Sequence, residues 1–281
     1  MTPKKLIVNA DDYGHGKKLS EGIRLAHLQG IVTSTTAMMN WPDAVTDLPL
    51  AVRDCPRLGL GVHLVLTSGK PLLPAAEVPS LVDANGFFRR PDPFGATLPQ
   101  LNLAEVAAEW HAQVDLFKQV TGRAPDHLDS HHHVSYTSPA LFECMLSLAA
   151  ELNCPIRLPY ADPAASNPSE YLWTADPVRD YAHILESLKR HAPSHPQVFW
   201  SSFYDEGATL AHLTELIERM AAENGPRTFE LMCHPALPDD FLRQVSDYSD
   251  KRGEELALLT DPRVKALLAE NAIDLISFAG L

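Results

Sequence analysis

The chain has 281 residues, of which 45% are hydrophobic and 21% are charged, so it holds enough apolar material for one large core. This composition excludes a disordered chain, a coiled coil and a collagen-like repeat. The formal net charge is −13, from 23 Lys and Arg residues against 36 Asp and Glu residues. Such an acidic chain is a poor partner for nucleic acid or for an anionic membrane.

Short β-rich runs alternate with stretches of helical periodicity along the chain. In chain order we predict strand Leu6–Ala10, helix Lys18–Leu28, strand Val32–Met39, helix Asp43–Arg53, strand Leu58–Leu66, a helix from its cap at Asn102 to about Val120, strand His127–His131, helix Pro139–Leu152, strand Pro155–Leu158, a loop with a further helix, strand Val198–Ser201, helix Leu210–Ala222, strand Thr228–Cys233, helices Lys251–Leu259 and Pro262–Glu270, and strand Ile273–Ser277. Residues 67–99 form a Pro/Gly-rich excursion of the kind that often carries function.

Alternation of strands with helices predicts parallel pairing and an α/β fold. Seven or so such units in one domain, residues 1–281, favour a distorted or incomplete (β/α) TIM-like barrel over an open doubly wound sheet. The sequence has no GxGxxG or GxxxxGK[ST] motif, which argues against a nucleotide-binding α/β protein. In parallel barrels the active site lies where the strands end.

Three features of the sequence indicate cellular location. The four cysteines are widely spaced without a CxxC motif, which argues against a disulfide framework or a structural zinc site and suits a reducing compartment. The N-terminal apolar run is only Leu6-Ile7-Val8, shorter than the core of about 7–15 residues in a signal peptide. No run reaches the roughly 18 apolar residues of a membrane span. We therefore expect a cytoplasmic protein without a membrane partner.

Carboxylates and imidazoles lie at the ends of four of the predicted strands, in the segments Asn9–Gly14, Gly61–Leu64, His127–His133 and Cys233–Pro235. Each segment alone has a structural interpretation: an Asp pair can be a turn or helix cap, and a lone His can be a core residue. Together they match the ligand set of a divalent metal with open coordination positions, which catalysis requires.

Strand geometry predicts which of these side chains share a face. Because side chains alternate along a strand, Asp129, His131 and His133 should share one face and His132 should take the other. By the same rule Asp11 and Asp12 point to opposite faces. Both can reach one site only if the backbone turns sharply, which Tyr13-Gly14 permits.

The four segments, together with Gly30–Thr36, resemble the YdjC/ChbG carbohydrate deacetylases, and most of all their chitooligosaccharide deacetylase branch. The resemblance runs from about Lys5 to Phe278. It implies an incomplete (β/α) barrel, one divalent metal, and hydrolytic removal of acetyl from an N-acetylglucosamine unit of a chito-oligosaccharide or a related amino sugar. By position, it implies that Asp12, His63 and His131 are the metal ligands and that Asp11 is the general base.

Other roles follow from the chemistry that this reaction needs. The amine must leave protonated, so we expect a general acid, with His234 as the leading candidate and His133 as the second. Asp129 should orient a ligand histidine rather than bind metal. Arg157 ends a predicted strand and can hold Asp11 ionised.

Sugar contacts and the metal are less constrained by the sequence. Trp41 and Phe203 lie at or after predicted strand ends, where an aromatic ring either packs in the core or contacts a sugar. A carboxylate with two imidazoles suits Zn²⁺ or another transition metal, whereas the resemblance implies Mg²⁺. The expected partner is a small carbohydrate, and a homodimer is the candidate assembly. Two alternatives stay open: another single-metal hydrolase, such as a phosphoesterase or amidohydrolase, and a sugar-binding protein without turnover.

Overall fold

Strands alternate with helices along the chain in the computed structural model, which describes residues 4–160, 168–225 and 227–281. The strands are β1 Lys4–Tyr13, β2 Ser34–Ala37, β3 Gly59–Leu64, β4 Leu128–Ser130, β5 Val198–Trp200, β6 Thr228–Cys233 and β7 Ile273–Leu275. The helices are α1 Lys17–Gln29, α2 Pro42–Asp54, α3 Pro91–Thr97, α4 Leu103–Thr121, α5 Pro139–Leu152, α6 Pro168–Tyr171, α7 Pro177–His191, α8 Leu210–Ala222, α9 Asp240–Val245, α10 Asp250–Leu259 and α11 Pro262–Glu270.

The strands form one parallel sheet in the order β4-β3-β2-β1-β6-β5, and β7 pairs with the beginning of β1. The sheet curls and helices surround it, so the predicted incomplete (β/α) barrel in a single domain is confirmed. Register brings the strand ends together, because Ala10 lies opposite Cys233 and His63 lies opposite Asp129. The residues that follow these positions therefore emerge at one rim of the barrel.

Local capping explains why the helices begin and end where they do. The Asn102 side chain accepts a hydrogen bond from the Ala104 amide at 3.0 Å, which caps α4 as predicted. Gly122 ends the same helix with φ 72°, a conformation that glycine adopts without strain. Ser138 caps α5 and Pro139 occupies its first turn, where a missing N–H costs nothing.

Several strand bounds shift by up to three residues, and three predicted elements differ from the structure in type. Strand His127–His131 is shorter, because β4 ends at Ser130 and a 3₁₀ helix covers His131–Tyr136. Segment Pro155–Leu158 is not a strand but makes one isolated bridge, between Leu128 and Ile156. The 67–99 excursion is not wholly irregular, since it contains α3. Within the described part of the chain, no helix is both long and apolar enough to cross a bilayer.

Candidate active site

A deep cleft opens at the barrel rim where the strands end, as expected for a parallel barrel. Its volume is about 1510 Å³. The side chains that line it include those of Asp11, Asp12, Trp41, His63, His131, His133, Tyr204, His234, Tyr248 and Arg252. The four predicted strand-end segments thus contribute to one site.

Asp11 and Asp12 reach the cleft together because β1 is irregular at this point. Its pairing with β2 shifts register between Ala10 and Tyr13, and Asp12 adopts φ 71°. A positive φ is uncommon for a residue other than glycine and breaks the alternation of side chains. The sharp turn predicted at Tyr13-Gly14 therefore begins earlier, at Asp12 itself.

Asp12, His63 and His131 form a buried group whose ligand atoms all lie within 4.8 Å of one another. Asp12 Oδ1 is 3.4 Å from His63 Nε2 and 3.0 Å from His131 Nδ1. One carboxylate oxygen and two imidazole nitrogens converging on one point are a donor set that fits a divalent metal. The predicted ligands are therefore brought together, and the geometry leaves the cleft side open to other ligands.

The surroundings of His63 favour positive charge, as a cation site should. Its Nδ1 lies 2.6 Å from Asp129 Oδ1, which is the contact expected of a carboxylate that orients a ligand histidine. Burial lowers the pKa of His63, but Asp129 and Asp12 outweigh burial and raise it to about 10. A divalent cation would supply the charge that these carboxylates attract.

Asp12 is also held by Arg252, which the sequence analysis did not single out. The Arg252 Nη2 group donates to Asp12 Oδ2 at 2.7 Å, and both side chains are buried. Burial raises the pKa of Asp12, but Arg252 and His131 overcome that effect and hold the pKa well below its usual range. The carboxylate is ionised and points one oxygen at the two histidines.

Asp11 has different partners. Arg157 donates to both of its oxygens at 2.7 Å, and Asn9 donates to Oδ1 at 2.9 Å. Burial raises the pKa of Asp11, but the Arg157 guanidinium lowers it more, and the net pKa falls below its ordinary value. Arg157 therefore makes the contact expected of it, with Asp11 ionised.

Arg157 contacts a cluster of three buried carboxylates, which are those of Asp11, Asp129 and Glu230. It is fully buried, its Nη1 lies 2.9 Å from Asp129 Oδ2, and its Nε donates to Glu230 at 2.7 Å. Glu230 lies in the middle of β6, and burial raises its pKa to about 7 despite Arg157. A glutamate inside an otherwise apolar strand was a sequence signal for this partner.

His234 follows β6 and faces Asp11 across the cleft. Its Nε2 lies 4.0 Å from Asp11 Oδ2. Burial, with a further contribution from Arg252, lowers the pKa of His234 to about 4, so the imidazole is neutral at neutral pH. Its backbone N–H donates to the buried Glu255, another residue that the sequence analysis did not single out.

The histidine run does not continue β4, and the alternation predicted for it is wrong. His132 and His133 have φ 53° and 54°, so the chain coils over the strand end. His133 nevertheless lines the cleft, with its ring 5.3 Å from that of Tyr171. Burial lowers its pKa to about 3, which leaves it neutral like His234.

Of the two aromatic candidates for sugar contact, only one lies at the cleft. Trp41 lines it, with its ring 4.3 Å from that of His15. Phe203 is not among the residues that line the cleft and is fully buried in the hydrophobic core, so of the two roles considered for it the structure shows packing. The neighbouring Tyr204 is 43% exposed and lines the cleft instead, 4.2 Å from the Tyr248 ring.

The chain is similar to known proteins over nearly its whole length. Residues 5–270 match the family model described as YdjC-like protein. A carbohydrate deacetylase of Geobacillus stearothermophilus is 38% identical over 276 residues, which is 98% of this chain and 97% of the relative. A chitooligosaccharide deacetylase of Yersinia pestis (strain Pestoides F) is 36% identical over 275 residues, 98% of each chain. A crystal structure from Enterococcus faecalis V583, provisionally described as a cellobiose-phosphate cleavage protein, superposes with a TM-score of 0.86 at 33% identity over 99% of both chains.

Proposed function

The chain belongs to the YdjC-like family, and on that premise we propose that it is a metal-dependent hydrolase that removes acetyl from N-acetylglucosamine units of chito-oligosaccharides. Relatives named carbohydrate deacetylase and chitooligosaccharide deacetylase, at 38% and 36% identity respectively over nearly the whole chain, support the reaction and the substrate class. Mg²⁺ is the metal that we propose, with Zn²⁺ as the competitor that the two imidazoles favour.

The observation that carries this proposal is the separation of roles between two adjacent carboxylates. Asp12 is grouped with His63 and His131, whereas Asp11, which lies near His63 and Asp129 in a second group of potential ligands, has both of its oxygens bound by Arg157. A protein that only bound sugar would have no use for a second ionised carboxylate beside a metal site. Amide hydrolysis has such a use, because the attacking water must lose a proton.

The chain's own residues can carry the protons of this reaction. When held by Asp12, His63 and His131, a divalent metal would polarise the amide carbonyl and lower the pKa of water. Asp11, kept ionised, accepts the proton of the attacking water. His234 is neutral, and its Nε2 lies 4.0 Å from Asp11 Oδ2. It can therefore take that proton and deliver it to the departing amine nitrogen.

The cleft suits an uncharged sugar chain. Trp41, Tyr204 and Tyr248 line it and offer aromatic faces with polar edges, the side chains that combine apolar area with hydrogen bonding. At about 1510 Å³ the cleft exceeds the roughly 300–1000 Å³ of typical small-molecule pockets, so it has room for more than one sugar unit.

The test is acetate release from N-acetylglucosamine and from its β-1,4-linked dimer and trimer. Enzyme stripped with a chelator should be inactive, and adding Mg²⁺, Zn²⁺, Mn²⁺ or Co²⁺ separately identifies the metal that restores turnover. Alanine variants of Asp12, His63 and His131 should lose metal as well as activity, whereas His111→Ala on the exposed side of α4 serves as a matched control. Acetate release in excess chelator, or normal metal content in two of the three variants, would refute the assignment.

A further inference from the structure

Helix α10 places two oppositely charged side chains against the active site. Arg252 and Glu255 are three residues apart, so they lie on the same face of the helix, and they are 5% and 0% exposed. Charged side chains of these types are almost never fully buried unless they are paired. Their neighbours Lys251 and Glu254 pair with each other on the solvent side.

Arg252 fixes the orientation of the Asp12 carboxylate. Its Nη2 donates to Asp12 Oδ2 at 2.7 Å, and its Nε donates to the Tyr248 carbonyl oxygen at 2.8 Å. Two nitrogens of one planar group thus have fixed acceptors, so the guanidinium cannot rotate freely. Because Oδ2 is held, Oδ1 remains directed at His63 and His131.

Glu255 fixes the segment that carries His234. Its Oε2 accepts from the His234 backbone N–H, and its Oε1 accepts from the Tyr248 hydroxyl. The same hydroxyl accepts from the Asp205 backbone N–H at 3.0 Å. One carboxylate therefore ties the end of β6 to the loop that bears Tyr204.

The backbone of α10 is docked closely on that segment. The Ala236 N–H donates to the Arg252 carbonyl oxygen at 3.1 Å. A Cβ atom at Gly253 would lie 2.9 Å from Pro238 Cγ, so a larger residue would push the helix away. The glycine between the two charged residues permits an approach that longer side chains would prevent.

We propose that α10 is a positioning element for the active site, in which Arg252 orients the metal-ligating Asp12 and Glu255 orients His234. Neither residue needs to touch the substrate. The inference rests on the proposed function for its effect on turnover, but its effects on metal affinity and on the His234 backbone do not require any deacetylase activity.

The proposed role of Arg252 is tested by the affinity of metal-free protein for Zn²⁺, measured by competition with a chromophoric chelator. Loss of a hydrogen-bond partner behind a metal ligand typically costs 10–100-fold in affinity or activity. Arg252→Gln should therefore weaken Zn²⁺ binding by about 10–100-fold. Arg252→Lys should recover part of the loss, since a single ammonium group can reach Asp12 but cannot span to the Tyr248 carbonyl. Lys251→Gln, which removes a neighbouring exposed charge, should bind Zn²⁺ as the wild type does.

The proposed role of Glu255 is tested by amide hydrogen exchange and by enzyme kinetics. Glu255→Ala should accelerate exchange of the His234 amide while the remainder of α10 stays protected. It should lower kcat more than it raises KM and leave Zn²⁺ affinity unchanged, because it displaces a proton carrier and not a metal ligand. Tyr248→Phe should keep the His234 amide protected, and Glu254→Gln is the matched control.

The outcomes separate this inference from the function itself. If wild-type protein binds no divalent metal, the proposed metal site is wrong, and so is the proposed role of Arg252. The exchange experiment still tests the proposed role of Glu255. If wild type binds Zn²⁺ but Arg252→Gln binds it equally well, the positioning role of Arg252 is refuted and the metal site stands. Exchange that rises along the whole of α10 in Glu255→Ala would show that Glu255 only stabilises the helix.

Discussion

Glu230→Gln tests whether the carboxylate cluster around Arg157 has the charge state that the structure indicates. Glu230 is fully buried, with Oε1 accepting from Arg157 Nε at 2.7 Å and Oε2 lacking a partner among the described residues. Burial raises its pKa from 4.5 to about 7, although Arg157 opposes the rise. Glutamine keeps an oxygen for Arg157 and removes the ionisation, with almost no change in volume.

The sign of the effect follows from linkage between protonation and folding. A carboxyl group with a higher pKa in the folded than in the unfolded state binds a proton more tightly when folded. Its contribution to stability is complete below the unfolded pKa of 4.5 and is lost as the pH rises through about 7. A rise of this size corresponds to about 3 kcal/mol, since one pKa unit is about 1.4 kcal/mol. Compared with Glu230→Gln, the wild type should therefore lose about 2–3 kcal/mol of unfolding free energy between pH 5 and pH 8.

The assay is urea unfolding of both proteins at pH 5 and pH 8, with the exposed Glu218→Gln on α8 as a control for a change in net charge. The difference in unfolding free energy between Glu230→Gln and wild type should grow in favour of the variant as the pH rises, and the control should show no such trend. An equal difference at both pH values would mean that Glu230 stays ionised throughout, and that Arg157 neutralises it more completely than its partly unpaired carboxylate suggests.

Four further substitutions test the site. Asp11→Asn should lower kcat by about 10²–10⁴ and retain metal, since it removes a proton acceptor; loss of the metal would instead make Asp11 a ligand. His234→Ala should slow hydrolysis of an N-acetyl amide much more than that of an activated aryl acetate, because an aryloxide leaves without a proton; equal losses would move the acid role to His133 or to water. Phe203→Leu should lower the unfolding free energy by roughly 1–2 kcal/mol without changing KM, whereas Tyr204→Ala should raise KM; the opposite pattern would restore Phe203 as a sugar contact.

Local sequence patterns predicted elements best where capping and periodicity agree. The bounds of α5, α8, α11 and β6 are those predicted. Proline in the first turn of α5 and a serine cap before it mark the start without any tertiary information. The barrel class followed from the number of strand–helix alternations, which depends on the chain as a whole and tolerates errors in single elements.

The errors arise where tertiary contacts override local preference. Segment His127–His131 has a strand-like pattern, but the chain turns at His131, and His132 and His133 take positive φ values. Such conformations are costly for residues other than glycine and persist only where surrounding contacts hold them. The hydrogen bond between Thr67 and His132 and the packing of His133 against Tyr171 are contacts of this kind, and neither is visible in the local sequence.

Arg252 and Glu255 are not indicated by the sequence pattern, and the reason is a different one. The strand-end rule predicts one rim for five of the site residues, which are Asp11, Asp12, His63, His131 and His234. Arg252 and Glu255 lie on a helix rich in charged residues, where solvent exposure is the usual outcome. Nothing in the local pattern distinguishes the buried Glu255 from the exposed Glu254, because only the approach of the helix to the end of β6 decides which of them is buried.

The two adjacent carboxylates show how identical residue types acquire different chemistry. The positive φ of Asp12 sends its side chain to His63 and His131, while Asp11 faces Arg157. Arg157, 146 residues from Asp11, and Arg252, 240 residues from Asp12, then hold each carboxylate ionised separately. Without these arginines, two buried carboxylates this close would compete to remain charged, and one would take up a proton. A separate arginine for each carboxylate therefore lets one stay available for a metal while its neighbour stays available for a proton.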